Sequence, residues 1–277
     1  MLSRSQIVEL LDRHGISPSR ALGQNFVADP NTVRRIARLA GVGEGDHVVE
    51  IGPGLGSLTL ALAETGATVT AVELDRHVVP VLREVVGGTS VTVVEGDAAL
   101  VDWTALLAAA DRWALVANLP YNVATPLVLD LLDDVPAIDR MLVMVQREVG
   151  ERLAASPGSG AYGIPSVKVA YHATAAVVGK VPPTVFVPKP RVESALVRIE
   201  RRADGPATDA DPDRLFALVR AGFGQRRKML RRSLAGLVDD AAFAAAGVRP
   251  EARAEELTVE DWGRLAVAAP AAPPSEP

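Results

Sequence analysis

Val48 to Thr59 reads VVEIGPGLGSLT, an apolar run that passes straight into a glycine turn and then into a helix. A short apolar run bounded by Gly and Pro reads as a buried strand, here His47–Ile51, and helical spacing resumes from about Ser57 to Thr65. Glycine lets backbone approach a ligand closely, and the helix start favours an anionic group. A turn of this kind serves NAD, a phosphate or S-adenosylmethionine, or is simply a tight connection. Two residues narrow the choice. A dinucleotide fingerprint wants its third glycine at position 57, which is Ser57. Glu50 sets a carboxylate two residues before Gly52, where a pyrophosphate is repelled and an α-ammonium is not. The zwitterionic methionine end of S-adenosylmethionine suits the turn better, with Gly52 and Gly54 as cofactor-binding candidates.

The neighbouring segments extend the pattern. Upstream, residues 5–14 read as a short amphipathic helix, and Asp29 before Pro30 reads as a cap opening a helical stripe of Val33, Ile36, Ala37 and Ala40 that stops at Gly41. Downstream come a strand Thr68–Val72 ending in Glu73, a helix His77–Val86 and a strand Val91–Val94. A helix Trp103–Ala110 and strands Trp113–Ala117, ending in Asn118, and Met141–Val145 follow. Strands alternating with helices at this spacing predict an α/β fold with a parallel, Rossmann-like sheet. After a helical 147–153 and a loop 154–164, Val167–Ala176 and Ser194–Glu200 read as strands flanking VPPTVFVPKP. Beyond a linker at 203–212 only helical periodicity remains. The expected division is a catalytic domain at 1–203, a small all-helical domain at 204–267 and a disordered tail at 268–277.

Composition removes several classes. The 277 residues include no cysteine, which excludes thiol nucleophiles, disulfides and thiolate metal sites. Four histidines lack metal-binding spacing, so no metal is expected. The longest uncharged run, Trp113 to Leu129, contains two prolines and two asparagines and does not read as a membrane span. The first 15 residues carry Glu9 and Asp12 and no apolar stretch of the export type, so a cytoplasmic chain is expected. Nothing suggests an obligate interface, and a monomer is expected. The net charge of −5 is unevenly spread: residues 180–232 hold 13 Lys and Arg against 6 Asp and Glu. A basic segment on an acidic body suggests a face for polyanions.

Three acids stand at strand ends, the address at which open α/β sheets bind ligands. Besides Glu50, Glu73 can accept both ribose hydroxyls, and Asp97 in EGDA can accept from an adenine amine. The sharpest motif is NLPY, Asn118 to Tyr121. An adenine exocyclic amine is a poor nucleophile because its lone pair is delocalised into the ring. The Asn118 side-chain oxygen and the Leu119 carbonyl can pull on its protons and favour a tetrahedral nitrogen. Pro120 stiffens the turn, and Tyr121 offers a face for an extruded base. Such chemistry asks for neither metal nor general base.

GQNF (Gly23–Phe26), EIGPGLGSLT, VELD (Val72–Asp75), EGDA, NLPYNVATP, FVPKPRVESA and FGQRRKMLRRSL (Phe223–Leu234) occur in that order. Together they resemble the ribosomal RNA adenine dimethyltransferase family, over roughly residues 18–265. The resemblance implies S-adenosylmethionine as cofactor and small-subunit (16S) ribosomal RNA as substrate. Two adjacent adenines near its 3′ end would become N6,N6-dimethyladenine during subunit biogenesis. It implies that Asn25 and Val27 cover the cofactor, Gly52 lines its methionine end, Glu73 holds the ribose and Asp97 reads the adenine. Asn118 would touch both cofactor and target, and Tyr121 and Phe186 would sandwich the target base. Leu22 stands where the family commonly has an aromatic, and Val27 where it has Leu.

Arg226, Arg227, Lys228, Arg231 and Arg232 are expected to cover a broad helix face for RNA phosphates, with Met229, Leu230 and Leu234 inward. Arg191, Arg198, Arg201 and Arg202 are expected to extend this footprint. Three alternatives remain: a large-subunit rRNA adenine dimethyltransferase of the antibiotic-resistance type, a non-catalytic RNA-binding assembly factor, and a small-molecule methyltransferase. The intact NLPY argues against the assembly factor, and the basic segment against the small-molecule enzyme.

Overall fold

In a computed structural model, which describes residues 1–19, 21–120 and 123–270, the chain begins with α1 (Arg4–Arg13), β1 (Phe26–Val27), α2 (Pro30–Ala40) and β2 (His47–Ile51). Then come α3 (Ser57–Ala63), β3 (Thr68–Glu73), α4 (Val79–Val85), β4 (Thr92–Glu95), α5 (Trp103–Leu106) and β5 (Trp113–Asn118). They are followed by α6 (Ala124–Asp134), β6 (Ile138–Gln146), α7 (Arg147–Leu153), α8 (Ile164–His172) and β7 (Ala173–Val181). The last elements are β8 (Phe186–Val187), β9 (Ser194–Arg201), α9 (Pro212–Gly224), α10 (Leu230–Ser233), α11 (Asp240–Ala246) and α12 (Val259–Ala268). Among the described residues no helix is long and apolar enough to cross a membrane.

Two compact units result, one of Met1–Glu151 with Ala175–Arg201, the other of Arg152–Thr174 with the chain from Arg202 onward. In the first, seven strands pair in the order β4-β3-β2-β5-β6-β9-β7. Strands β2 to β6 run parallel, whereas β9 lies antiparallel to β6. The chain steps outward from β2 through β3 to β4, then returns to place β5 on the other flank of β2. That reversal opens a crevice at the carboxyl ends of β2 and β5. The sheet strands are continuous apolar runs because helices cover them: Val33, Ile36 and Ala37 of α2 pack with Val48, Val69, Ala114 and Val116. Helix α2 starts where expected, with Asp29 accepting from the Thr32 N–H at 2.9 Å and Pro30 in its first turn.

Helix α6 falls in a stretch for which the sequence suggested no element. Val128, Leu131 and Leu132 bury its inner face. Arg201 donates to the carbonyls of Leu131, Leu132 and Val135 at its C-terminal end and to Ile138 beyond. This arginine caps a helix rather than facing a polyanion, and burial pulls its pKa down.

The second unit corrects the expected boundary. Residues 152–174 join the helical unit, although the sequence assigned them to the first domain. The expected strand Val167–Ala176 is helical as far as His172. Its β-branched and aromatic residues suggest a strand, but Gly163 and Pro165 open a helix, with the Gly163 N–H donating to Ser166 Oγ at 3.1 Å. Val167 and Tyr171, four apart, then enter one cluster with Leu215, Val219, Phe243 and Trp262. Burial there outweighs strand propensity. Of the expected tail, residues 268–270 are ordered, with Ala269 buried and the Pro270 carbonyl accepting from Arg214, while residues 271–277 lie outside the described residues.

The expected helix through the basic run is broken. Helix α9 stops at Gly224, Met229 is extended and exposed, and α10 holds only Leu230–Ser233. The Leu230 N–H donates to Ala252 and Arg231 to Pro250. These bonds pull the chain out of helical register, though Leu230 and Leu234 are buried as expected.

Candidate functional site

A cavity of about 330 Å³ opens at the carboxyl ends of β2, β3, β4 and β5. Its wall includes Asn25, Val27, Gly52, Gly54, Glu73, Asp97, Asn118 and Pro120, so the expected cofactor residues come together in one place. Gly52 and Gly54 have φ of +68° and +58°, which a side chain rarely tolerates. At Gly54 a Cβ would also lie 2.8 Å from the Phe26 ring. Glycine there lets the N-terminal segment close against the turn.

Both oxygens of Glu73 are held by the backbone, Oε2 accepting from the Gly54 N–H and Oε1 from the Asp75 N–H, each at 2.9 Å. Burial raises its pKa, and those backbone bonds pull the other way. Each oxygen retains lone-pair capacity toward the cavity. Asp97 accepts from the Ala99 N–H through Oδ1 at 2.9 Å, which fixes the carboxylate at the end of β4. Glu50 is 1% exposed, and its Oε2 has no partner. Burial pushes its carboxyl up to about 8, and the charge of Glu73 adds to the shift. The cavity wall carries Glu50, Glu73, Asp97 and Asp130 and, among the described residues, no Lys, Arg or His.

At the tip of β5 the Asn118 Nδ2 donates to the Asn25 carbonyl at 3.1 Å, which leaves Oδ1 as the acceptor that the amide can offer. The Leu119 N–H donates to the Met144 carbonyl of β6 at 3.0 Å and its side chain is buried, so the tip is anchored just beyond the strand. Tyr121 lies outside the described residues. Phe186 departs from expectation: it is 1% exposed, packs in one cluster with Val27, Val33, Val116 and Met144, and does not itself line the cavity. Its motif neighbours marked it for stacking, but pairing of β8 with β1 turns the ring into the core. Other contributors escape a reading of the sequence. Gln24 sits inside the GQNF motif but without a signal of its own. Val123, Pro126, Leu127 and Asp130, in and just before α6, line the cavity only because that helix folds beside it.

In the helical unit, Arg226 donates Nε to Glu255 at 2.8 Å and Nη2 to the Gly160 carbonyl at 2.9 Å. Arg231 pairs with Glu251 at 3.4 Å. Arg227, Lys228 and Arg232 are exposed and form no ion pair among the described residues. Arg198 donates to the Leu39 carbonyl, and Arg202 donates to Ala170 and pairs with Glu260. With Arg201 they serve the fold, and of the expected extension Arg191 alone stays on the exposed surface.

Residues 17–269 match the family described as ribosomal RNA adenine dimethylase. The chain belongs to that family. This dimethylase is 50% identical to the ribosomal RNA small subunit methyltransferase A of Kineococcus radiotolerans, over 98% of this chain and 92% of that one. It is 49% identical to the protein of the same description from Leifsonia xyli, over 96% and 98%. Among solved structures, the 23S rRNA methyltransferase ErmE is similar with a TM-score of 0.67 and 28% identity, over 88% of this chain and 99% of that one. A dimethyladenosine transferase from Plasmodium falciparum, at 23% identity and a TM-score of 0.71, shares the fold, over 86% and 94%. The dimethylase is an S-adenosylmethionine-dependent rRNA methyltransferase with a Rossmann-like sheet and a C-terminal helical region.

Proposed function

We propose that the enzyme dimethylates the exocyclic amines of two adjacent adenines near the 3′ end of small-subunit rRNA during subunit assembly, acting as a monomer in the cytoplasm without a metal. The single observation that carries the cofactor half is the acid-walled cavity at the sheet's reversal point, without Lys, Arg or His among the described residues and ending at Asn118. The small-subunit assignment is supported by relatives of that description at 49–50% identity over nearly the whole chain.

The residues fit S-adenosylmethionine. Glu50 is a buried acid with an unpartnered oxygen beside the glycine turn, and an ammonium group would supply the missing partner. A pyrophosphate would meet four acids and, among the described residues, no cation. In the proposed assignment Glu73 accepts the ribose hydroxyls, Asp97 accepts the adenine amine through Oδ2, and Asn25 and Val27 cover the ligand. When bound, S-adenosylmethionine supplies an electrophilic methyl on a sulfonium. The remaining work belongs to the chain. Asn118 Oδ1 and the Leu119 carbonyl accept hydrogen bonds from the two N–H groups of the unmodified amine, and one of them from the single N–H left after the first transfer, which turns the lone pair toward the methyl; each transfer releases one proton to solvent as the product amine returns to neutrality. Pro120 limits movement of those acceptors, and Tyr121 supplies a stacking face worth about 1–3 kcal/mol per base.

The test is methyl transfer from labelled S-adenosylmethionine to unmodified small-subunit particles, compared with bare large-subunit RNA, followed by mapping of the product. Label in adjacent small-subunit adenines is expected. Label confined to large-subunit RNA would overturn the assignment.

A further inference from the structure

The segment from Ala21 to Ala28 crosses the cavity, and Leu22 to Val27 form part of its wall. Its two ends are held differently. At the C-terminal end, Phe26 and Val27 pair with Val187 and Phe186, and the Ala28 N–H donates to the Val185 carbonyl at 2.7 Å. At the N-terminal end the Gln24 N–H donates to the Ser19 carbonyl at 3.0 Å, and among the described residues the link onward to Asp75 is the Gln24 side chain. Gln24 accepts the Ser19 N–H through Oε1 at 2.8 Å and donates Nε2 to Asp75 Oδ2 at 2.7 Å. Asp75 is itself fixed, since Oδ1 accepts from the His77 N–H and its own N–H donates to Glu73 Oε1. Between the two ends, the Asn25 carbonyl receives the Asn118 amide.

We propose that Gln24 is a positioning residue for methyl transfer: by bridging Ser19 to Asp75 it latches this segment across the cavity and so holds the Asn25 carbonyl where it orients Asn118. The inference rests on the cofactor reading above. Enclosure of the cofactor and alignment of the catalytic amide then become one event. Releasing the latch frees residues 21–25 while the β1–β8 pair keeps 26–28 in place. Asn118 would lose the partner that distinguishes its oxygen from its nitrogen.

The test exchanges donor and acceptor across the latch. Gln24→Glu sets two carboxylates against each other, and adding Asp75→Asn restores a donor facing an acceptor. Gln24→Met removes the donor without adding charge and covers the case in which Gln24→Glu does not fold. In the cofactor-free full chain, hydrogen exchange of the Gln24 amide, which donates to the Ser19 carbonyl at 3.0 Å, should quicken in the single variants while the Ala28 amide, held by the Val185 carbonyl, keeps its protection. S-adenosylmethionine should leave the binary complex about three- to tenfold faster, with a matching fall in kcat, as expected for one hydrogen bond. The paired exchange should recover both. Unchanged exchange and release in Gln24→Met, or a folded double variant no better than Gln24→Glu alone, would overturn the latch. If the wild-type chain failed to bind S-adenosylmethionine, the cofactor reading would fall instead, and the exchange data would still judge the latch.

Discussion

Glu50 holds a proton near neutral pH because burial penalises its charge and, among the described residues, no cation on the cavity wall offsets that penalty. Its folded pKa of about 8 lies above the usual 4.5, so the folded state binds the extra proton between those values. Its contribution to stability is therefore complete below about pH 4.5 and is lost as pH rises through about 8. Glu50→Gln should flatten the fall of Tm with pH across this window in the cofactor-free protein, and should leave that protein more stable than wild type at pH 8. An ammonium beside Glu50 would draw the proton off. Calorimetry near pH 7 in buffers of different ionisation enthalpy should show cofactor binding releasing about one proton from wild type and none through this residue in Glu50→Gln. At Asn118, removal of an acceptor used in the transition state should lower kcat by about 10²–10³-fold, the range for loss of one such group. Asn118→Ala should keep its RNA affinity, and unchanged turnover would refute the role.

Two elements depend on partners that lie far away in the sequence. Helix α9 meets α12 at Gly222, where a Cβ would lie 2.5 Å from the Trp262 ring. Gly222→Ala should destabilise the protein by about 1–3 kcal/mol through overpacking, read as a lower denaturant midpoint with unchanged slope. Helix α6 relies on Arg201 for its terminal carbonyls, and Arg201→Met should lower stability without changing the salt dependence of RNA binding. The strands and their acids were legible in the sequence because apolar runs, glycine turns and strand-end carboxylates are local signals. Helices α6 and α8 were not. Their composition suits more than one structure, and the choice falls to Arg201 for one and to the Tyr162–Trp262 cluster for the other.

Across the whole molecule, the acid cavity and the basic residues belong to different units, the cavity to the first and the 226–232 run to the second. Arg226 is committed to Glu255 and Gly160, whereas Arg227, Lys228 and Arg232 keep their charges exposed. Neutralising those three should reduce the slope of log affinity against log salt by about 2–3, near one unit for each phosphate left without its cation. Arg226→Met should chiefly lower the melting temperature and leave the slope nearly intact. Titration of small-subunit rRNA over a salt series distinguishes these outcomes, and an unchanged slope in the triple variant would remove this surface from RNA binding.

The alternation of strands and helices from β2 to β5, the glycine turn, the acids at 50, 73 and 97 and the NLPY motif were written in the chain as periodicity and short motifs, because each depends on residues a few positions apart. Folding settled the rest through partners far apart in sequence. It sent Phe186 into the core by pairing β8 with β1, and moved residues 152–174 into the helical unit. It also divided one basic run into tethered and free cations and brought Gln24 to Asp75. No local pattern encodes such meetings, since they arise only when the burial of one element positions another.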